Sequence, residues 1–135
     1  MAYKIIEIEG IGEVYAGNLA GAGITTVEQL LEAGASKKGR TELAATTGIS
    51  ESLLLRWVNM ADMFRIKGVA EEFSDLLELA GVDTVKELRT RNAENLHAKL
   101  TEVNAERGVA GRVPRMDEVQ SWIEQAGQLD PKVTH

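Results

Sequence analysis

The sequence contains no cysteine, only two prolines among its 135 residues, and 4% aromatic residues. Without cysteine it can form no disulfide bond, no thiolate metal site and no cysteine nucleophile. Its apolar runs all fall short of the ~20 residues that a membrane-spanning helix needs. The N-terminal residues lead into charged sequence with no apolar segment of the kind found in signal peptides. We therefore expect a cytoplasmic, mostly helical protein that does not contact a membrane.

Positive charge is also scarce, since 15 Lys and Arg residues face 21 Asp and Glu residues and the formal net charge is -6. Residues 1–63 carry 5 basic and 8 acidic residues, and residues 64–135 carry 10 and 13, so each part has a net charge of -3. This balance argues against bulk electrostatic attraction to nucleic acid or to an anionic membrane. Any basic surface must therefore be local.

The chain contains an internal repeat. Residues 8–30 match residues 66–88 without a gap at an offset of 58 residues. The matched pairs are Ile8/Ile66, Gly10/Gly68, Ile11/Val69, Leu19/Leu77, Ala22/Ala80, Gly23/Gly81, Ile24/Val82, Thr26/Thr84, Val27/Val85 and Leu30/Leu88. Residues 53–61 resemble 118–126 at an offset of 65, which implies a seven-residue insertion around Asn104–Arg112. We predict two repeats, 1–63 and 64–135.

Glycines and capping residues divide each repeat into short helices. In the first repeat we expect a helix over Glu13–Ala22, a second opened by Thr25 with Glu28 as a capping box, and a third after Gly39. A long helix over about Glu51–Met63 should follow, capped by Ser50. The second repeat should contain the helices Ala70–Ala80, Val85–Arg89 (capped by Thr84), Ala93–Asn104 and Met116–Ala126. No convincing strand is found.

The pattern Ile8-x-Gly10-Ile11-Gly12-x-x-x-Ala16-x-x-Leu19 resembles the helix-hairpin-helix motif of DNA repair, recombination and ligation proteins. The first repeat as a whole is similar to the small five-helix N-terminal domains of strand-exchange recombinases. Residues 23–50, Arg56–Asp62 and Asn95–Leu100 resemble the family called domain of unknown function 4332, and this likeness extends over nearly the entire chain. It implies an all-α fold of two tandem helix-hairpin-helix (SAM-like five-helix) repeats, packed in one compact body with pseudo-twofold symmetry. It implies no established activity.

In such a hairpin, backbone N–H groups at the start of the second helix hold a phosphate oxygen without reading sequence. The leading hypothesis is therefore a weak, sequence-independent contact with the DNA or RNA backbone. Its predicted residues are Gly10, Ile11, Gly12, Glu13, Lys37, Lys38, Arg40, Gly68, Val69 and Ala70. Against it, Glu9, Glu13 and Glu71-Glu72 are carboxylates that would compete with a phosphate at the helix starts. The glycines could equally serve only to shape tight turns.

The alternative hypothesis is a protein–protein interaction or self-association module without nucleic-acid binding. The acidic residues around both hairpins favour this alternative. Trp57 and Trp122 occupy equivalent positions on apolar stripes, so we expect both to pack in the core. The sequence does not determine an oligomeric state, and no residue pattern supports a small-molecule pocket.

No catalytic pattern stands out. The sequence has no P-loop, no nucleophile elbow and no dinucleotide fingerprint. Adjacent carboxylates such as Asp117-Glu118 point to different sides of a helix instead of converging on a substrate. The two histidines, His97 and His135, give no cluster that would hold a metal. We expect a protein that is not an enzyme and uses neither a cofactor nor a metal.

Overall fold

The computed structural model describes residues 3–69 and 72–134. Within them the chain forms a short 3-10 turn, Ile5–Glu7, and the helices α1 (Glu13–Gly21), α2 (Val27–Gly34), α3 (Lys37–Thr47), α4 (Glu51–Met63), α5 (Glu72–Leu79), α6 (Val85–Leu88), α7 (Ala93–Arg107) and α8 (Met116–Gln128). The only β-type pairing in these ranges is an isolated bridge between Lys4 and Thr26. The protein is therefore all-α, as predicted. No helix in the described part of the chain has the length and apolarity to cross a membrane.

The chain divides into two units, Met1–Asp62 with Lys132–His135, and Met63–Pro131. The division lies one residue from the boundary between the sequence repeats. The C-terminal segment belongs to the first unit, where the amide of Thr134 donates to the carbonyl of Ala35 at 2.8 Å. The sequence contains no signal for this return of the chain.

Threonine caps open the second helix of each repeat. In the first repeat the cap is Thr26, whose side chain accepts from the amide of Gln29 while the Gln29 side chain returns to the Thr26 amide. The predicted pair of Thr25 with Glu28 is therefore wrong by one residue, because Thr25 and Thr26 offer the same hydroxyl at neighbouring positions. In the second repeat Thr84 accepts from the amide of Glu87, as predicted.

The third helix begins earlier than predicted. The side chain of Ser36 accepts from the amide of Gly39 at 3.0 Å, so α3 starts at Lys37. Lys37 to Arg40 therefore form its first turn and do not precede it. Ser50 accepts from the amide of Leu53 at the start of α4, which begins and ends where predicted.

The remaining helix ends lie within three residues of the prediction for the described residues. Ala70 and Glu71, at the predicted start of α5, lie outside them. The insertion in the second repeat lengthens α7 and the loop behind it. Eight residues, 108–115, separate α7 from α8, whereas three, 48–50, separate α3 from α4. We call residues 108–115 the inserted loop.

Both tryptophans are buried, with 1% of Trp57 and 2% of Trp122 exposed, which confirms their assignment to the core. Trp122 packs in a cluster of buried residues that extends from Met63 to Ala126. Its other members are Met63, Ile66, Val69, Leu76, Leu77, Ala80, Val82, Val85, Leu88, Leu96, Leu100, Val103, Ala110, Val119 and Ala126. The spacing of apolar residues along each helix places them on this side, and their burial provides the main stabilisation of the unit.

Local backbone structure repeats with the sequence. The amide of Ile24 donates to the carbonyl of Leu19 at 2.9 Å, and at the equivalent positions Val82 donates to Leu77 at 2.8 Å. Gly23 and Gly81, which precede these donors, have φ of +84° and +92°. Both glycines occupy the left-handed region in which a side chain is strained, so the same residue type ends α1 and α5 for the same reason.

Candidate functional site

The first hairpin loop joins the 3-10 turn to α1. Gly10 has a φ of +93°, and a Cβ there would lie 3.4 Å from Nε1 of Trp57 and 3.6 Å from Nη1 of Arg56. Gly12 is the N-cap of α1 in extended backbone, and a Cβ on it would meet no described atom within 4 Å. The fold therefore requires glycine at the first of these positions but not at the second. Since Gly12 provides no side-chain cap, the first-turn amides of α1 receive no hydrogen bond from it.

The second hairpin loop repeats this arrangement more tightly. Gly68 has a φ of +92°, and a Cβ there would lie 3.1 Å from Nε1 of Trp122. Val69 is buried and its amide donates to the carbonyl of Ile66, just as buried Ile11 donates to Ile8 in the first loop. The amides of Ile11 and Val69, both predicted phosphate donors, are therefore already used inside the loops. The predicted donor Ala70 lies outside the described residues.

The structure separates the three residues of the predicted basic cluster. Lys37 and Lys38 are exposed on the first turn of α3. Arg40 is only 4% exposed, and its guanidinium donates to the carbonyls of Gly34, Ala35 and Thr134 at 2.8, 3.1 and 2.6 Å. Burial lowers the pKa of Arg40, which nevertheless stays charged at any physiological pH. Arg40 thus closes the C-terminal end of α2 from inside the unit, and its donors are not presented at the surface.

The surface of α1 is unusually apolar for a helix that is so exposed. Of its nine residues only Leu19 is buried. Val14 is 77% exposed and Tyr15 is 37% exposed. On another side of the helix lies a groove of about 490 Å³, lined by Lys4, Ile5, Ile6, Ala16, Ala20, Thr25 and Thr26. The sequence analysis did not predict this exposed surface. The sequence nevertheless indicates it, because the apolar residues of α1 do not form a stripe long enough to bury one complete face.

The sequence that contains α1 is acidic. Residues 5–36 contain five glutamates and no Lys, Arg or Asp. Glu9 and Glu13, on either side of the first loop, are both exposed. These carboxylates oppose the approach of a phosphate and attract a cationic group.

In the second repeat the inserted loop folds onto the start of α5. The amide of Gly111 donates to Oε2 of Glu72 at 3.1 Å, and the guanidinium carbon of Arg112 lies 5.0 Å from the ring centroid of Phe73. Arg112 also forms two hydrogen bonds with Glu118, at 2.7 and 2.9 Å. These bonds, together with one from the amide of Arg115, lower the pKa of Glu118 to about 2. The inserted loop is therefore held by an ion pair and covers part of α5.

Across residues 3–69 and 72–134, no three His, Cys, Asp or Glu side chains are grouped so that they could hold a metal ion. In the first repeat a glycine loop leads into a helix that exposes Val14 and Tyr15, and Glu9 and Glu13 on either side of this loop are exposed.

No solved structure matches this chain significantly. A family model, described as domain of unknown function (DUF4332), matches residues 9–129. This match extends over nearly the whole chain and includes both hairpin loops, so the protein belongs to the DUF4332 family.

Proposed function

We propose that this protein is a non-enzymatic protein-binding module made of two tandem helix-hairpin-helix repeats, and that the first repeat docks a partner through α1. The observation that carries the proposal is the 77% exposure of Val14 next to the 37% exposure of Tyr15. Adjacent exposed apolar side chains of this size are typical of the centre of an interface, where aromatic residues supply much of the binding energy. The matching glycines and backbone hydrogen bonds of the two loops support the helix-hairpin-helix assignment.

The electrostatics favour a protein partner over a nucleic acid. Five glutamates and no cation lie in residues 5–36, and Arg40 directs its guanidinium at backbone carbonyls of its own unit. Nucleic-acid affinity depends mainly on Lys and Arg contacts with phosphates. At the first hairpin Arg56 lies close to Gly10, but the exposed carboxylates of Glu9 and Glu13 oppose a phosphate there.

A selection from a displayed random-peptide library, with the full-length chain as bait, tests the proposal. We expect enriched peptides whose affinity falls at least about tenfold on Val14→Lys, because a charged side chain replaces the central apolar contact. The matched control is Leu79→Lys on α5, another exposed apolar residue (39% exposed), which should leave binding unchanged. The absence of enriched peptides, or equal binding to both variants, would contradict the proposal.

A weak contact with a phosphate backbone is the second candidate function. The specific observation is the position of Arg56, whose Nη1 lies 3.6 Å from where a Cβ of Gly10 would be, next to the loop amides. Duplex DNA, branched DNA and RNA titrated at about 50 mM salt would detect such a site, since each phosphate contact adds a salt slope of about -0.9. Lys37→Glu with Lys38→Glu should weaken the binding if these exposed lysines take part. Lack of binding at this salt concentration removes the candidate.

A further inference from the structure

The two repeats treat one pair of equivalent residues differently. At the offset of 58 residues, Glu72 and Phe73 are equivalent to Val14 and Tyr15. In the second repeat the inserted loop contacts both, through the amide of Gly111 on Glu72 and the guanidinium of Arg112 on Phe73. The inserted loop thus contacts α5 at the positions equivalent to exposed Val14 and Tyr15, and Phe73 is partly buried there although Glu72 stays exposed.

The aromatic side chains Tyr15 and Phe73 pack against a tryptophan in the same way in both repeats. Phe73 packs against Trp122 with ring centroids 5.4 Å apart at 52°, and Tyr15 packs against Trp57 at 5.0 Å and 62°. In each case the outer ring packs against a core tryptophan, and 37% of Tyr15 remains exposed. A guanidinium over such a ring gains a cation–π interaction, and the second repeat supplies one from its own chain.

The first repeat has no counterpart of the inserted loop. Its loop between α3 and α4 has three residues, whereas the inserted loop has eight. The acidic character of residues 5–36 nevertheless suits a cation, because these residues carry five glutamates and no positive charge. A cation for the Tyr15 ring would be drawn in by the charges that oppose a phosphate.

We propose that Val14 and Tyr15 form a docking site for an arginine-bearing segment of a partner protein. The guanidinium lies on the Tyr15 ring, as that of Arg112 lies on Phe73, and an apolar neighbour of the arginine packs on Val14. Arginine fits better than lysine because its planar guanidinium stacks on an aromatic ring over a larger area. This inference rests on the proposed protein-binding function and specifies the chemistry of the partner.

The chain itself provides a probe for this site. A synthetic octapeptide with the sequence of residues 108–115, Gly-Val-Ala-Gly-Arg-Val-Pro-Arg, can be titrated into the ¹⁵N-labelled full-length protein. We expect amide shifts centred on Val14 and Tyr15, and a two- to fivefold weaker affinity, roughly, for the peptide carrying Arg112→Ala. The peptide with Arg112→Lys should lie between the two. Shifts elsewhere in the protein, or equal affinity for all three peptides, would overturn the inference.

Two substitutions in the protein separate ring chemistry from folding. Tyr15→Phe keeps the ring and should retain the binding, as Phe73 does in the second repeat. Tyr15→Leu keeps an apolar side chain but removes the ring, and should lower the affinity for the octapeptide roughly two- to fivefold. The amide spectrum of the rest of the protein should stay native. Equal binding by the Leu and Phe variants would contradict a cation–π site.

The outcomes also separate this inference from the proposed function. Library peptides that bind α1 and tolerate replacement of every arginine would refute the inference and leave the protein-binding proposal standing. Absence of any peptide that is sensitive to Val14→Lys would refute both. Concentration-dependent shifts at Val14 and Tyr15 without peptide would identify a second copy of the chain as the occupant, and shifts produced by duplex DNA would identify nucleic acid; either result overturns the inference.

Discussion

Each repeat of this protein has an arginine that links separate segments of the chain, but one arginine is buried and the other is exposed. Arg40 in the first repeat is 4% exposed and donates to three backbone carbonyls, whereas the side chain of Arg112 in the second is 53% exposed and lies over an aromatic ring. The first repeat is thus stabilised by buried Arg40, which we call the internal brace. The second repeat is stabilised by exposed Arg112, which we call the external brace. Only the repeat braced from inside leaves its first helix uncovered.

The first helices differ for the same reason. α1 buries one residue of nine, whereas α5 buries Ser74, Leu76 and Leu77 among eight. Asn18, exposed on α1, is equivalent to Leu76, which is fully buried on α5. A helix that contributes little to its own core is free to contribute its surface to an interface, and this difference is the physical basis of the functional proposal.

Removal of the internal brace, Arg40, should have the largest effect on the free energy of unfolding. Arg40→Ala leaves the carbonyls of Gly34, Ala35 and Thr134 without their buried donor, and we expect the free energy of unfolding to fall by about 3 kcal/mol. Urea unfolding followed by circular dichroism measures this loss. Lys38→Ala, two residues away and exposed, is the matched control and should change stability by less than ~0.5 kcal/mol. Equal effects of the two substitutions would show that Arg40 is not a structural brace.

The two loop glycines should differ in their tolerance of a side chain. Both Gly10 and Gly68 have a φ above +90°, so alanine at either costs about 1–2 kcal/mol of backbone strain. Gly68→Ala should cost more, because its Cβ would lie 3.1 Å from Trp122 and force the ring to move. Thermal unfolding of both variants measures the difference.

The controls for these glycine variants are Gly17→Ala and Gly127→Ala, one in each repeat. Both glycines lie within helices, and a Cβ on either meets no described atom within 4 Å. They should be neutral or stabilise the protein by up to ~1 kcal/mol. A greater loss for Gly10→Ala than for Gly68→Ala would contradict the tighter packing of the second loop.

The threonine caps should have equal weight in the two repeats. Thr26→Ala and Thr84→Ala each remove a side-chain acceptor from a helix N-terminus and should cost about 1 kcal/mol. Thr25→Ala removes an exposed hydroxyl next to the cap and should cost less than ~0.5 kcal/mol. Chemical denaturation of the three variants tests the corrected helix start. A larger loss at Thr25 than at Thr26 would restore the original capping assignment.

Removal of the external brace, Arg112, should have the smallest effect on stability and should change the pKa of Glu118. The hydrogen bonds from Arg112 lower the pKa of Glu118 from 4.5 to about 2, so the pair stabilises the fold above pH 4.5 and loses this contribution as the pH falls toward 2. Arg112→Ala should raise the pKa of Glu118 toward its ordinary value. Because the side chain of Arg112 is largely exposed, stability at neutral pH should change little.

A carboxyl-detected NMR titration of Glu118 measures the change in its pKa. Arg107→Ala serves as the control, since it removes an exposed arginine at the end of α7. This control should leave the pKa of Glu118 unchanged. An unchanged pKa in Arg112→Ala would show that the amide of Arg115 alone holds the carboxylate.

Most of the helical pattern could be predicted from the sequence because local chemistry decides it. Glycine at positions 23, 48 and 81 ends helices through a positive φ, and Ser50 and Thr84 start them through their hydroxyls. The errors occurred where neighbouring residues offer the same chemistry. Thr25 and Thr26 compete for one cap, and Ser36 opens α3 ahead of a glycine that looked like a boundary.

The candidate site was only partly predictable, because exposure depends on residues distant in the chain. Arg40 belongs to a basic run in the sequence, yet in space its partners include the carbonyl of Thr134, 94 residues away. Val14 and Tyr15 appear in the sequence as ordinary apolar residues of a helix. They are exposed in the repeat whose loop between α3 and α4 has three residues, and this difference from the second repeat is visible only in the folded structure.

The sequence by itself determined that this protein is helical and internally repeated, and that it cannot use cysteine chemistry, because periodicity, glycine spacing and composition are properties of the chain. Only the tertiary structure decided which arginine is buried and which helix is exposed. The physical reason is that a cap or a turn is satisfied by residues a few positions away, whereas a buried guanidinium and an uncovered ring depend on what the rest of the chain brings to them.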